Sequence, residues 1–148
     1  MKCNVGVDLV PMLPGGANGG LKPATLAFLR AIQEQHAGSI RFTFLVKSSM
    51  CGELLQLVRP QDLMVCIADR RDGADTEIDN IQVITSFSPT LLIRLGVDVL
   101  YCPFGSMERS HPRIPTVSMI VDLLHRDLSL LDPGLGKEKE GRLFPPSG

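Results

Sequence analysis

The sequence carries no excess charge of either sign. Fifteen Lys and Arg stand against sixteen Asp and Glu, a net charge of -1. Without a basic field there is nothing to hold a phosphate backbone, so nucleic acid is excluded as the expected partner. The four cysteines, Cys3, Cys51, Cys66 and Cys102, form no C-x-x-C pair. Three of them lie in or beside apolar runs, which favours buried free thiols over a disulfide or a zinc site. No metal is expected. No apolar run approaches the ~18 residues that a membrane span needs, and no basic amphipathic helix argues for a membrane surface. The start does not read as a signal peptide, because Lys2 is followed by a short apolar run broken by Asp8 and then by Pro and Gly. A reducing, cytoplasmic location is the expectation. No internal repeat is present.

What is there suits a globular chain: 148 residues, 44% hydrophobic and 21% charged. A domain of that length buries ~70% of the surface its unfolded chain exposes and needs no staples. Apolar runs alternate with helical patterns. "VGVDLV" (Val5 to Val10), "IRFTFLV" (Ile40 to Val46), "LMVCIA", "IQVI", "VDVLYC" and "TVSMIV" (Thr116 to Val121) read as strands. Ala24, Ala27, Phe28, Ala31 and Ile32 share one helix face, with Pro23 in the first turn and Gly38 as a stop. "CGELLQLV" reads as a short helix closed by Pro60. "TLLIRL" reads as another, capped by Ser88, with Pro89 at its first position and Gly96 at its end. Asp69 to Asn80 is charged and reads as a surface loop. Continuous apolar strands alternating with helices give an α/β fold, a Rossmann-like parallel sheet with helices on both faces. Residues 1–131 form that domain, and 132–148, rich in Pro, Gly and charge, form a tail or linker.

The most pointed feature is "PMLPGGANGGLKPATLAFLRAI", Pro11 to Ile32, with four glycines in six residues before a helix. In an open parallel sheet, ligands bind beyond the carboxyl ends of the strands. A helix start offers unpaired N–H groups and partial positive charge to a phosphate or a sugar hydroxyl. The alternative is a flexible turn, for which glycine is equally suited. Gly15 to Gly20 has the phosphate-loop spacing, but "LK" follows instead of Lys-Ser or Lys-Thr. The G-x-G-x-x-G pattern is out of register, and Lys47 stands where an acidic residue should close the second strand. Neither ATP hydrolysis nor NAD binding is supported, and no cofactor is expected.

Two later segments, "VDVLYCPFG" and "RIPTVSMIVDLLHRD", follow the glycine loop in an order that resembles the N-terminal domain of a retaining glycosyltransferase of the GT-B type, glycosyltransferase group 1. The resemblance runs from Val5 to Asp127. It implies a two-domain enzyme whose Rossmann-like halves face each other across a cleft. The N-terminal half, similar to this chain, holds the carbohydrate or lipid acceptor, and its glycine loop reaches the nucleotide-sugar donor. The C-terminal half holds that donor and carries an E-x7-E motif, so this chain is expected to be a fragment, inactive alone, and to self-associate through an exposed domain face. The reaction implied is transfer of a hexose from the nucleotide sugar to the acceptor. The sequence departs from the family where His usually precedes the Asp of "HDL"; Val121 stands there and can neither donate a hydrogen bond nor act as acid or base. The rival reading is a non-catalytic Rossmann-like module that binds a nucleotide, a sugar or a partner protein.

The resemblance gives Asn18, Gly19 and Gly20 a role in contacting donor phosphate or acceptor hydroxyls, against turn geometry alone. Asp122 either orients a sugar hydroxyl or caps the segment after its strand. His125 either lines the cleft or is a structural histidine. His111 reads as a loop residue. Phe104 and Met107 either floor an acceptor pocket or pack. No residue is assigned a catalytic role.

Overall fold

A computed structural model describes residues 2–69 and 75–119, and residues Met1–Ser118 form one compact unit. Its elements run β1 (Cys3–Asp8), α1 (Leu21–Gln35), β2 (Ile40–Lys47), α2 (Cys51–Leu54), β3 (Leu63–Ile67), β4 (Thr76–Ile78), β5 (Ile81–Ile84), α3 (Thr90–Arg94), β6 (Val99–Cys102) and β7 (Thr116–Ser118). Short 3₁₀ turns, Ser48–Met50 and Leu55–Leu57, flank α2. Among the described residues the strands form one seven-stranded sheet in the order β4-β5-β3-β2-β1-β6-β7. All neighbours pair in parallel except the β4–β5 edge. This is an α/β fold.

Alternation along the strands feeds two cores. Phe42, Phe44 and Val46 of β2 join Val7, Met64 and Cys66 in a cluster with Leu29 of α1 and Leu54 of α2. The Phe42 and Phe44 rings lie 5.2 Å apart. Leu45, Val65 and Leu100 join a separate cluster with Leu91 and Leu92 of α3. Burial on both sides explains why β2 and β3 read as nearly unbroken apolar runs.

Several boundaries and one helix face differ from the sequence reading. β1 ends at Asp8, with Leu9 buried beyond it. The buried residues of α1 are Lys22, Thr25 and Leu29, with Leu26 and Ile32 packed partly against the core. Ala24 and Ala27 are exposed and Phe28 is 51% exposed, so the face lies one position from the expected stripe. Leucine packs there in place of alanine, and two polar residues join it, Thr25 and Lys22, the latter with its ammonium on the Leu13 and Gly15 carbonyls and Glu53. The charged segment from Asp69 to Asn80 contains a strand: Thr76–Ile78 folds back on β5 through a two-residue turn with Asp79 at φ 53. Asp tolerates that left-handed geometry better than most residues. Pro89, not Ser88, takes the cap position of α3; the Ser88 hydroxyl meets Thr90 Oγ1 at 2.9 Å. Gly96 follows α3 at φ 72, as the sequence suggests.

The cysteine expectation needs correction. Cys51 of α2 and Cys66 of β3 are joined in a disulfide, with Cα atoms 6.4 Å apart. Nothing in their 15-residue separation announces the pairing, which arises because α2 packs over β3. Cys102 is a buried free thiol and Cys3 an exposed one. Among the described residues no helix is long and apolar enough to cross a membrane.

The amino-terminal edge of the sheet is fixed by a buried ion pair. Asp62 is 2% exposed. Its Oδ2 accepts from Arg59 Nε and its Oδ1 from Arg59 Nη2, both at 2.9 Å. Oδ1 also accepts from the Phe42 N–H at 2.9 Å, and Arg59 Cζ lies 5.8 Å from the Phe42 ring centroid. The Asn80 amide donates to the carbonyls of Arg59 and Asp62, tying the β4–β5 turn to the same loop. Removing one partner strands the other's charge. Asp62→Ala is expected to lower the unfolding free energy by about 3–5 kcal/mol, with Asp62→Asn losing less. Urea titration checks this, and a loss below about 1 kcal/mol would mark the pair as an ordinary surface bridge.

Candidate functional site

The strand order reverses at β1. From there the chain runs outward through β2, β3 and β5 on one side and returns to β6 and β7 on the other. In open sheets such a reversal is where ligands bind, beyond the carboxyl ends of the two central strands, here β1 and β6. Two cavities among the described residues lie at the opposite end of the sheet, beside Val58, Pro60, Asp79 and Asn80 and beside Arg41 to Thr43. The glycine loop leaves β1 at this end and runs into α1.

The loop is tied internally. The Leu13 N–H donates to Asn18 Oδ1 at 2.6 Å, and Asn18 Nδ2 donates to the Pro11 carbonyl at 3.3 Å. Gly19 N–H closes a turn onto the Gly16 carbonyl at 2.9 Å. Lys22 reaches back from the first turn of α1, and its ammonium donates to the carbonyls of Leu13 at 3.0 Å and Gly15 at 3.1 Å. Its third partner is Glu53 of α2, at 2.5 Å. Lys22 is only 8% exposed, so these contacts replace the water that its charge has lost.

The four glycines divide into two kinds. Gly15 and Gly19 have φ of 66 and 60, where other side chains are strained. Gly16 and Gly20 are outside that region, and a Cβ built on either would meet nothing within 4 Å. The fold therefore explains the first pair and not the second. Gly20 is the N-cap of α1, and no side chain caps that helix start. Of the residues singled out in the sequence, Asn18 acts as the loop's internal tie, Gly19 serves the turn, and Gly20 stands at the uncapped helix end. Asp122 and His125 lie outside the described residues, as does Val121. Phe104 packs against the core beneath α1, and Met107 is exposed. His111 is a loop residue whose Nδ1 accepts from the Arg113 N–H at 3.0 Å.

Sequence reasoning missed an acidic residue at the end of β1. Asp8 is 1% exposed; its Oδ2 accepts from Arg109 Nε at 2.7 Å and its Oδ1 from the Val10 N–H at 3.1 Å. Arg109 comes from the loop after β6, so the pair bridges the carboxyl ends of β1 and β6. The signal was a carboxylate closing an apolar run, but its partner is 101 residues away. Burial raises the Asp8 pKa above its ordinary 3.8, against the opposing pull of Arg109. Burial, reinforced by the Asp8 charge, pushes the Cys102 thiol up to about 11. Cys102 thus stays protonated at neutral pH and is a poor nucleophile. Burial also raises Tyr101, whose ring meets the Phe28 ring edge-on at 5.9 Å. Among the described residues no group of three His, Cys, Asp or Glu could hold a metal ion.

Two measurements follow. Gly15→Ala and Gly19→Ala should each lower stability by ~1 kcal/mol or more. Gly16→Ala should be neutral or stabilising by about 0.4–1 kcal/mol. Equal losses at all three sites in thermal melts would show that turn geometry explains every glycine. The second concerns pH. A carboxyl with a raised folded pKa binds its proton more tightly in the folded chain, so its contribution is full below 3.8 and is lost as pH rises through the folded value. Asp8→Asn removes this falling component, so its stability relative to the parent should climb as pH rises above 3.8. Parallel curves for the two proteins would mean that Arg109 fully offsets the burial.

Comparison with protein families, with curated proteins and with solved structures returns no match to this chain.

Proposed function

We propose that this chain is the Rossmann-like, acceptor-side domain of a two-domain GT-B glycosyltransferase, which moves a hexose from a nucleotide sugar to a saccharide or lipid acceptor. The observation that carries the reading is the glycine loop at the strand-order reversal, with Gly16 and Gly20 left open to approach for no reason internal to the fold. The order of "VDVLYCPFG" and "RIPTVSMIVDLLHRD" after it supports the same reading. In this chemistry the enzyme fixes an acceptor hydroxyl beside the sugar and stabilises the departing diphosphate. The uncapped start of α1 supplies backbone donors and partial positive charge toward such an anion. The donor's remaining contacts, and turnover itself, belong to a second domain.

The second reading, a non-catalytic sugar- or nucleotide-binding module, is favoured by one feature: Val121 stands at the position where the family's histidine is expected. A donor domain with an E-x7-E motif encoded in the same frame favours the enzyme over this reading.

The test is direct. In NMR titrations of the chain with a panel of nucleotide sugars and oligosaccharides, the amides of Gly16, Gly19, Gly20 and Leu21 should shift. Gly20→Val should abolish those shifts at an unchanged melting temperature, and the chain alone should transfer no sugar. Silence at the loop across the whole panel would defeat the proposal, and robust transfer by the isolated chain would defeat the half-enzyme part of it.

A further inference from the structure

The clamp on the glycine loop is itself held by a covalent bond. Lys22 fixes the loop through the carbonyls of Leu13 and Gly15, and Glu53 is the only carboxylate paired with it among the described residues. Glu53 sits on α2, a helix of four residues. A helix that short has no stability of its own and keeps its place only through tertiary contacts. Those contacts are the buried Met50, Leu54 and Leu57 in and beside α2, the Gln33 amide on the Leu57 carbonyl, and the disulfide from Cys51 to Cys66 of β3, the one covalent tie among them. Cys51 lies two positions before Glu53 and is partly exposed, whereas Cys66 is buried in the sheet.

We propose that the Cys51–Cys66 disulfide is a redox-sensitive clasp on the glycine loop, closed when oxidised and released by a small thiol. A thiolate attacks Sγ of Cys51, the less buried of the two residues, forming a mixed disulfide, and Cys66 leaves as a thiolate that takes up a proton. A second thiolate attacks the outer sulfur of the mixed disulfide. Cys51 is released and protonated, and the two small thiols leave joined as their own disulfide. Two electrons and two protons pass to the protein. With its covalent tie to β3 gone, α2 rests on the packing of Met50, Leu54 and Leu57 and on the Gln33 amide, and the turn that carries Glu53 is no longer fixed against Lys22. An ammonium this buried is not retained without its counter-charge. It turns toward water and gives up both loop carbonyls. The carbonyls of Leu13 and Gly15 then lose the contact that ties them to α1, and only the Asn18 bridges and the Gly16–Gly19 turn remain.

This inference does not depend on what the loop binds, and its test contains no donor or acceptor. Hydrogen exchange read by mass spectrometry compares the air-oxidised chain with the same chain in dithiothreitol. Peptides spanning residues 12–22 should exchange about fivefold faster or more after reduction, while peptides from β1 and β6 stay unchanged. Cys51→Ser combined with Cys66→Ser should reproduce the reduced pattern without reductant. Glu53→Gln should raise loop exchange in the oxidised chain and abolish the further response to dithiothreitol. Equal loop exchange in the two redox states would overturn the proposal. So would a matching acceleration in β2 and β3, since that is global loosening, and so would an intact mass showing both thiols free after air oxidation.

Discussion

β1 is hydrogen-bonded along both edges, to β2 on one side and to β6 on the other, and the rest of the structure is arranged around that constraint. A central strand buried on both faces tolerates polar side chains only where their partners are built in. Asn4 and Asp8 are its two buried polar residues. Asn4 Oδ1 accepts from the Thr43 hydroxyl at 2.8 Å, its Nδ2 donates to the carbonyls of Leu95 and Gly96, and its backbone N–H donates to Asp98 Oδ2. That network locks the end of α3 and the start of β6 to the beginning of β1 and so sets the register of the return crossover. Asp8 does the corresponding work at the other end, drawing Arg109 in from the loop after β6. The two ends differ in kind. The network at Asn4 is largely neutral and closed, whereas a carboxylate is kept at Asp8 although burial disfavours its charged form. Ionisable groups held at such a cost gather at functional sites more often than elsewhere.

The parts of the fold legible in the sequence are those set by one segment's own chemistry. Strands β2, β3 and β6 announce themselves because burial on both faces removes the polar half of the pattern. The loop between β1 and α1 is visible because glycine density is itself the signal. What escaped depends on contacts between distant segments. Lys22 and Thr25 look like the solvent face of α1 until the loop carbonyls and Glu53 are seen to satisfy Lys22. β4 is three residues long, polar and at an edge, so neither length nor alternation distinguishes it from the charged loop around it. The Cys51–Cys66 bond joins a helix to a strand that meet only once the sheet has formed, and spacing carries no trace of it. The Asp8–Arg109 pair spans most of the described chain, and a single sequence offers no means of pairing them.

The loop at the carboxyl end of β1 combines rigidity with openness, and the two properties come from different residues. Gly15 and Gly19 supply the left-handed turns that let ten residues fold back on themselves. Asn18 and Lys22 then take up the loop's inward-facing polar groups with two contacts each, those of Lys22 from a buried charge, and the Gly16–Gly19 turn adds a fifth. Nothing in this scheme needs the missing side chain of Gly16 or Gly20, and no side chain caps the helix start at Gly20. A loop that only reversed the chain would gain a few tenths of a kcal/mol from a Ser, Asp or Asn in place of glycine at the cap, and more from a side chain at Gly16 that reduced the freedom of the unfolded state. Both gains are forgone at the place where the strand order reverses. A preorganised loop with open positions beside free helix donors saves the ordering cost that a flexible one would meet on binding. The held carbonyls and the two open glycines are therefore complementary features of one loop, in which Lys22 sets the geometry and the missing side chains leave space beside the helix start.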